Sequence, residues 1–117
     1  MKIKSIQVSR SARYVLSSEP SEEVKNLWIV CHGYGQTAIG FLNSFKSIFT
    51  KDTLVVAPEG LSKFYWDGFN GKVVSSWMTK ENRENEIKDY VNFIEDVLNE
   101  IVPKLNNKVV CNAFGFS

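Results

Sequence analysis

The chain has 117 residues, 44% hydrophobic and 13% aromatic, which is enough for one domain with a real core. Lys and Arg total 14 against 13 Asp and Glu, a formal charge of +1 without a long basic cluster, so neither nucleic acid nor an anionic membrane is an expected partner. No run approaches the ~18 apolar residues of a membrane span, and Met1 to Gln7 alternates charged and apolar residues instead of forming an export signal, which points to a soluble cytoplasmic protein.

In chain order, residues 2–7 and 12–17 flank Ser9-Arg10-Ser11 and carry Ile3, Ile6, Val8, Tyr14, Val15 and Leu16, predicting an antiparallel hairpin over residues 2–17 at a sheet edge. A polar loop from Ser17 to Glu23, punctuated by Pro20, leads to Leu27-Trp28-Ile29-Val30-Cys31, which is apolar without alternation and so reads as a strand buried on both faces. It breaks at the Gly-rich loop His32 to Gln36. Ile39, Leu42, Phe45, Ile48 and Phe49 then recur at three- and four-residue steps, the period of an amphipathic helix. Thr53 to Ala57 is a second buried strand, ended by Pro58 and Gly60.

Residues 58–79 hold Phe64, Tyr65, Trp66, Phe69 and Trp77 among glycines and serines, and are expected to form a long irregular loop: a covered pocket or lid, or a packed Ω-loop. From Lys80 the pattern turns helical, with Ile87, Tyr90, Val91, Ile94, Leu98 and Ile101 on one face, early glutamates suited to the N-terminal dipole, and Thr79 as N-cap. Pro103 and Asn106-Asn107 close it and launch a final apolar strand through Val109, Val110, Cys111, Ala113 and Phe114. The order β-β-β-α-β-α-β is that of the α/β class, with a mostly parallel sheet covered on both faces. Cys31 and Cys111 each lie in an apolar run, where a buried, poorly ionised free thiol is expected, and their spacing suggests no metal site.

Sites in open α/β sheets collect beyond the carboxyl ends of strands, and three features fall there: the loop 32–36, the aromatic loop 58–79, and Gly115-Phe116-Ser117. Gly-x-Ser after an apolar strand is the first half of a G-x-S-x-G nucleophile elbow, which makes Ser117 the candidate nucleophile. Gly33 and Gly35 can present backbone N–H groups ahead of a helix, suited to a developing oxyanion. Gly33, Gly35, Gln36 and Trp77 are the candidate substrate-binding residues. The glycine spacing from Gly33 to Gly40 does not fit a dinucleotide fingerprint or a P-loop, so no cofactor is expected.

The segments Leu27–Gln36, Val55–Trp66, Ser76–Tyr90 and Asn112–Ser117 together resemble the phospholipase/carboxylesterase-type serine esterases of the α/β-hydrolase fold, in the same order along the chain. The resemblance implies that Ser117 is the nucleophile and that the backbone N–H of Tyr34 forms half of the oxyanion hole. It also implies a sheet ordered 1-2-4-3-5-6-7-8, of which these strands form the N-terminal half, with the final strand at an exposed edge. Triad partners in this fold follow the nucleophile as Asp or Glu and then His, so none is assigned within the chain. His32, the sole histidine, is expected to anchor the loop, Asp67 to solvate a loop and Asp89 to sit on a helix face. The implied function is hydrolysis of a small carboxylic ester with an apolar acyl part through an acyl-serine intermediate, in an incomplete and inactive form. The alternative is a non-catalytic, truncated half-domain that self-associates through its C-terminal strand.

Overall fold

The two β-branched runs become the centre of the sheet in the computed structural model, which describes residues 1–117. β2 (Asn26–Cys31) and β3 (Thr53–Pro58) pair in parallel, placing Leu27 beside Leu54 and Ile29 beside Val56. β6 (Val110–Gly115) runs parallel on the other side of β2, and β1 (Tyr14–Leu16) runs antiparallel along β3, giving the order β1-β3-β2-β6. Period-two alternation divides the central strands between two cores. Leu27, Ile29, Leu54 and Val56 meet Val97 and Ile101 of α2 (Arg83–Ile101), whereas Val30, Val55 and Ala57 meet Ala38 and Leu42 of α1 (Ala38–Asn43). One helix thus covers each face of the parallel pair, as its uninterrupted apolar sequence requires. Each fully buried Val, Leu or Ile contributes about 1.5–3 kcal/mol of transfer free energy to that arrangement.

The N-terminal hairpin does not form: residues 2–13 carry no strand, and Ile3 is 95% exposed. Ser9-Arg10-Ser11 lacks the Gly or Asn that a tight primed turn needs. The two arginines bond elsewhere instead. Arg10 donates to the Leu61 carbonyl, and Arg13 makes two 2.8 Å bonds to the Glu59 carboxylate. Of the expected hairpin, only Tyr14–Leu16 form a strand, and their partner is β3.

The aromatic loop is not irregular either. β4 (Ser62–Tyr65) and β5 (Val73–Ser76) form an antiparallel ribbon with Phe64 opposite Val74, its connection turning at Gly68 with φ of 88°. The observed order is therefore β-β-α-β-β-β-α-β, with one strand fewer at the start and two more in the middle than the sequence pattern suggests. The first helix is also shorter than its periodicity, because Ser44 caps it and residues 46–48 form a single 3-10 turn. Thr37 is its N-cap, its Oγ1 accepting the Gly40 N–H at 3.0 Å.

α2 starts at Arg83 behind Asn82, whose φ is 53°, so Thr79 is not its N-cap. Thr79 instead closes the preceding turn: its hydroxyl accepts the Glu81 N–H at 3.1 Å, and its own N–H donates to the Glu86 carboxylate at 2.6 Å. β6 lies at the sheet edge, leaving Val110 56% and Phe114 44% exposed. Cys111 is exposed for the same reason, contrary to the buried thiol expected there, while Cys31 is half-buried and burial pushes its thiol pKa up.

Candidate functional site

The carboxyl ends of β2 and β6 lie side by side, Cys31 opposite Gly115, so the loop after one strand meets the turn after the other. The Phe116 N–H donates to the Cys31 carbonyl at 3.2 Å and continues the ladder one step past β6. Ser117 follows with φ of 60°, a left-handed backbone that non-glycine residues seldom adopt and that suits a nucleophile on a strained strand-to-helix turn. Phe114 and Phe116 pack on Phe41 of α1, each with centroids 6.3 Å apart, which anchors the elbow on that face. A Cβ on Gly33 would lie 2.9 Å from the Phe116 ring, so glycine is what lets the two turns approach this closely.

Within the Gly-rich loop, three of the four amides from Gly33 to Gln36 are hydrogen-bonded. The Gly33 N–H donates to Gln36 Oε1, the Gln36 N–H donates to the Gly33 carbonyl at 3.2 Å, and the Gly35 N–H donates to Ser75 of β5 at 3.0 Å. Ser75 returns a 3.0 Å bond to the Gln36 carbonyl and ties the loop to the β4–β5 ribbon. His32 is buried, with its ring stacked 5.2 Å from Trp77. Its Nε2 accepts the Gly60 N–H at 2.9 Å, which leaves the proton on Nδ1 to donate to the Gly33 carbonyl at 2.8 Å. Trp77 Nε1–H donates to the His32 carbonyl at 2.8 Å.

The consequence concerns one peptide unit. The Gly33 carbonyl is held by two donors, and because the peptide is planar and trans, the Tyr34 N–H on its other side is held in direction too. That N–H donates to no acceptor in the protein, alone among the four amides from Gly33 to Gln36. A fixed, undonated amide is the property of an oxyanion donor.

Ser117, Tyr34, Gly33 and Trp77 all line one cleft of about 380 Å³, together with Met78, Tyr90, Ile94 and Phe116 and no charged side chain. Gly35 and Gln36, proposed from the sequence as substrate contacts, do not line it. The Gly35 amide is spent on Ser75, and the Gln36 side chain turns back onto the Gly33 N–H. A larger hollow of about 600 Å³ lies between residues 6–14 and α2, lined by Glu86, Asp89, Asp96 and Glu100, and of the candidate residues only Trp77 reaches it.

Sequence reasoning missed Gly60 and Ser75. A Cβ on Gly60 would come 2.8 Å from the Ser76 carbonyl oxygen and 3.2 Å from His32 Cε1, so this glycine admits the histidine. The Pro58-Glu59-Gly60 run, read only as strand punctuation, was the available signal. Ser75 carried none, since its part is played by backbone atoms. No three His, Cys, Asp or Glu side chains converge as a metal site. No protein-family model matches this chain, and no curated protein or solved structure matches it either.

Proposed function

We propose that residues 1–117 form the nucleophile and oxyanion portion of a cytoplasmic carboxylic ester hydrolase that works through an acyl-serine intermediate. The observation that carries this reading is the Tyr34 amide, oriented by a doubly held carbonyl and left undonated, in a residue that lines the same cleft as a left-handed Ser117. Ser117 Oγ attacks the ester carbonyl, the Tyr34 N–H stabilises the charge developing on its oxygen, the alcohol leaves with the proton that Ser117 gives up, and water then hydrolyses the acyl-serine to release the acid and restore the hydroxyl. Trp77, Met78, Tyr90 and Ile94 give the acyl part an apolar wall. The sheet order β1-β3-β2-β6 also supports the reading, since it matches positions 2-4-3-5 of the sheet that the serine-esterase resemblance implies.

The general base lies outside these residues in this reading. Both nitrogens of the sole histidine are committed to backbone partners, and no carboxylate lines the cleft. Ester hydrolysis by the isolated chain should therefore not exceed that of its Ser117→Ala variant. Oxyanion capture can be tested without a base: a trifluoromethyl ketone should form a tetrahedral adduct on Ser117, seen by fluorine NMR. Ser117→Ala should abolish the adduct, Tyr34→Phe should retain it, and Tyr34→Pro, which deletes the amide donor, should weaken it. An adduct that survives Ser117→Ala would defeat the assignment.

A second reading, a non-catalytic domain that associates through its sheet edge, is favoured by one observation. β6 carries no charged residue and exposes Val110 and Phe114, with Phe116 exposed just beyond it.

A further inference from the structure

The β4–β5 ribbon exposes aromatic surface that neither core uses. Phe64 and Trp66 alternate onto one face of the ribbon and meet the ring of Tyr34, with centroids 5.4 Å apart for Tyr34–Phe64, 6.1 Å for Tyr34–Trp66 and 6.3 Å for Phe64–Trp66. Tyr34 is 63% exposed and Trp66 51% exposed, whereas Phe64 is half-buried and supports them from below. The group is fixed in place. Gly35 takes φ of 72° directly under the Trp66 indole, where a Cβ would be driven into the ring, and the Gly35–Ser75–Gln36 bonds clamp the loop to the ribbon. The Tyr34 hydroxyl makes no hydrogen bond within the protein.

We propose that these three rings form the subsite for the alcohol half of the ester, and that this half presents a six-membered ring with a flat apolar face. The proposal rests on the ester-hydrolase reading for its name, because the rings join the cleft through Tyr34, which lines the same cleft as Ser117 while its ring packs on Phe64 of the ribbon. The acyl part lies on the Trp77, Tyr90 and Ile94 side, so the alcohol part emerges past Tyr34 onto Trp66. No carboxylate or ammonium belongs to the three rings, and aromatic faces prefer flat apolar faces offset over them. The free Tyr34 hydroxyl adds one hydrogen bond at the rim. A phenolic ring and the apolar face of a pyranose both meet this description.

The test needs no turnover. Titrate the isotope-labelled chain by NMR with p-cresol, with methyl β-xylopyranoside, and with hexanol as an aliphatic control of similar size, up to tens of millimolar. One or both ring probes should shift the Trp66 indole and the Tyr34 and Gly35 amides, with hexanol leaving them in place. A response to p-cresol alone assigns an aryl alcohol, and one to the xyloside alone assigns a sugar. Trp66→Ala should weaken ring binding roughly two- to tenfold, and Phe69→Ala, at an exposed ring outside the cluster, should not. Equal shifts with hexanol, or none with any probe, overturn the proposal even if Trp66→Ala unfolds the ribbon. Ser117→Ala should bind the probes unchanged, so failure of the esterase reading and failure of this subsite are separate results.

Discussion

Replacing His32 with Ala tests the central structural argument, because one side chain fixes two backbone groups. The variant loses the 2.9 Å bond from the Gly60 N–H and the 2.8 Å bond to the Gly33 carbonyl. The losses are unequal. The Gly33 carbonyl keeps the Gln36 N–H, whereas Gly60 is buried and its amide is left without a partner. An orphaned buried donor costs about 1–3 kcal/mol, and the lost stack on Trp77 adds about 0.5–1.5 kcal/mol. The sum, about 2–4 kcal/mol, is a large fraction of the ~5–15 kcal/mol that stabilises an ordinary domain. With a urea slope of roughly 1–2 kcal/mol/M, the midpoint should fall by at least about 1 M. Hydrogen exchange supplies the residue-level check, with protection lost first at the Gly60 amide. A midpoint shift under about 0.3 M with Gly60 still protected would refute the claim that His32 is an anchor.

Three further outcomes follow from other parts of the molecule. Gly35→Ala combines a left-handed φ with a collision against Trp66, so it should destabilise by about 2–4 kcal/mol and shift tryptophan emission as the indole is displaced. The Arg13 hydrogen bonds, and then its charge, hold the Glu59 carboxyl below its ordinary range, so this pair stabilises the fold above the unfolded carboxylate pKa near ~4.3 and its contribution is lost as pH falls through the lower folded value. Acid titration by circular dichroism should show a shallower pH dependence below about pH 5 in Glu59→Gln, and an unchanged slope would count against the pair. Val110→Lys places a charge on the bare edge of β6 and should reduce concentration-dependent light scattering without altering the circular dichroism spectrum. A monodisperse ~13 kDa monomer before the substitution would remove the case for edge association.

The central pair of strands was legible because both signals agreed, an unbroken β-branched run and flanking helical periodicity, and Leu27 through Val30 and Leu54 through Ala57 are buried as read, apart from a half-buried Trp28. The ribbon was not legible, because Lys63-Phe64-Tyr65 carries aromatics on both sides of the alternation and its connection runs through Gly68 and Gly71. That composition also describes a loop. The hairpin error was the converse. Ile3, Ile6 and Val8 carry apolar alternation, yet a strand forms only where a neighbour supplies the ladder, and Arg10 and Arg13 are drawn to the 59–61 turn. At the site, Ser117 was singled out by the Gly-x-Ser ending of an apolar strand and Tyr34 by the serine-esterase resemblance, and the structure brings both to one cleft. Gln36 does not line that cleft because its side chain bonds its own loop, and no spacing rule contains that bond.

The single histidine ties these results together, because anchoring and proton transfer make incompatible demands on it. A general base for Ser117 needs a ring nitrogen whose lone pair faces the hydroxyl. The only lone pair on His32 that the neutral ring offers is at Nε2, and it already accepts the Gly60 N–H. Turning the ring toward Ser117 would release Gly60, withdraw Nδ1–H from the Gly33 carbonyl, and break the stack on Trp77. The Gly33–Tyr34 peptide would then be held by Gln36 alone, and the amide proposed to stabilise the oxyanion would lose half of what orients it. The contacts that make the Tyr34 amide a prepared donor are thus the contacts that remove His32 as a base. In a hydrolase built on this chain, the proton on Ser117 must pass to a group other than His32.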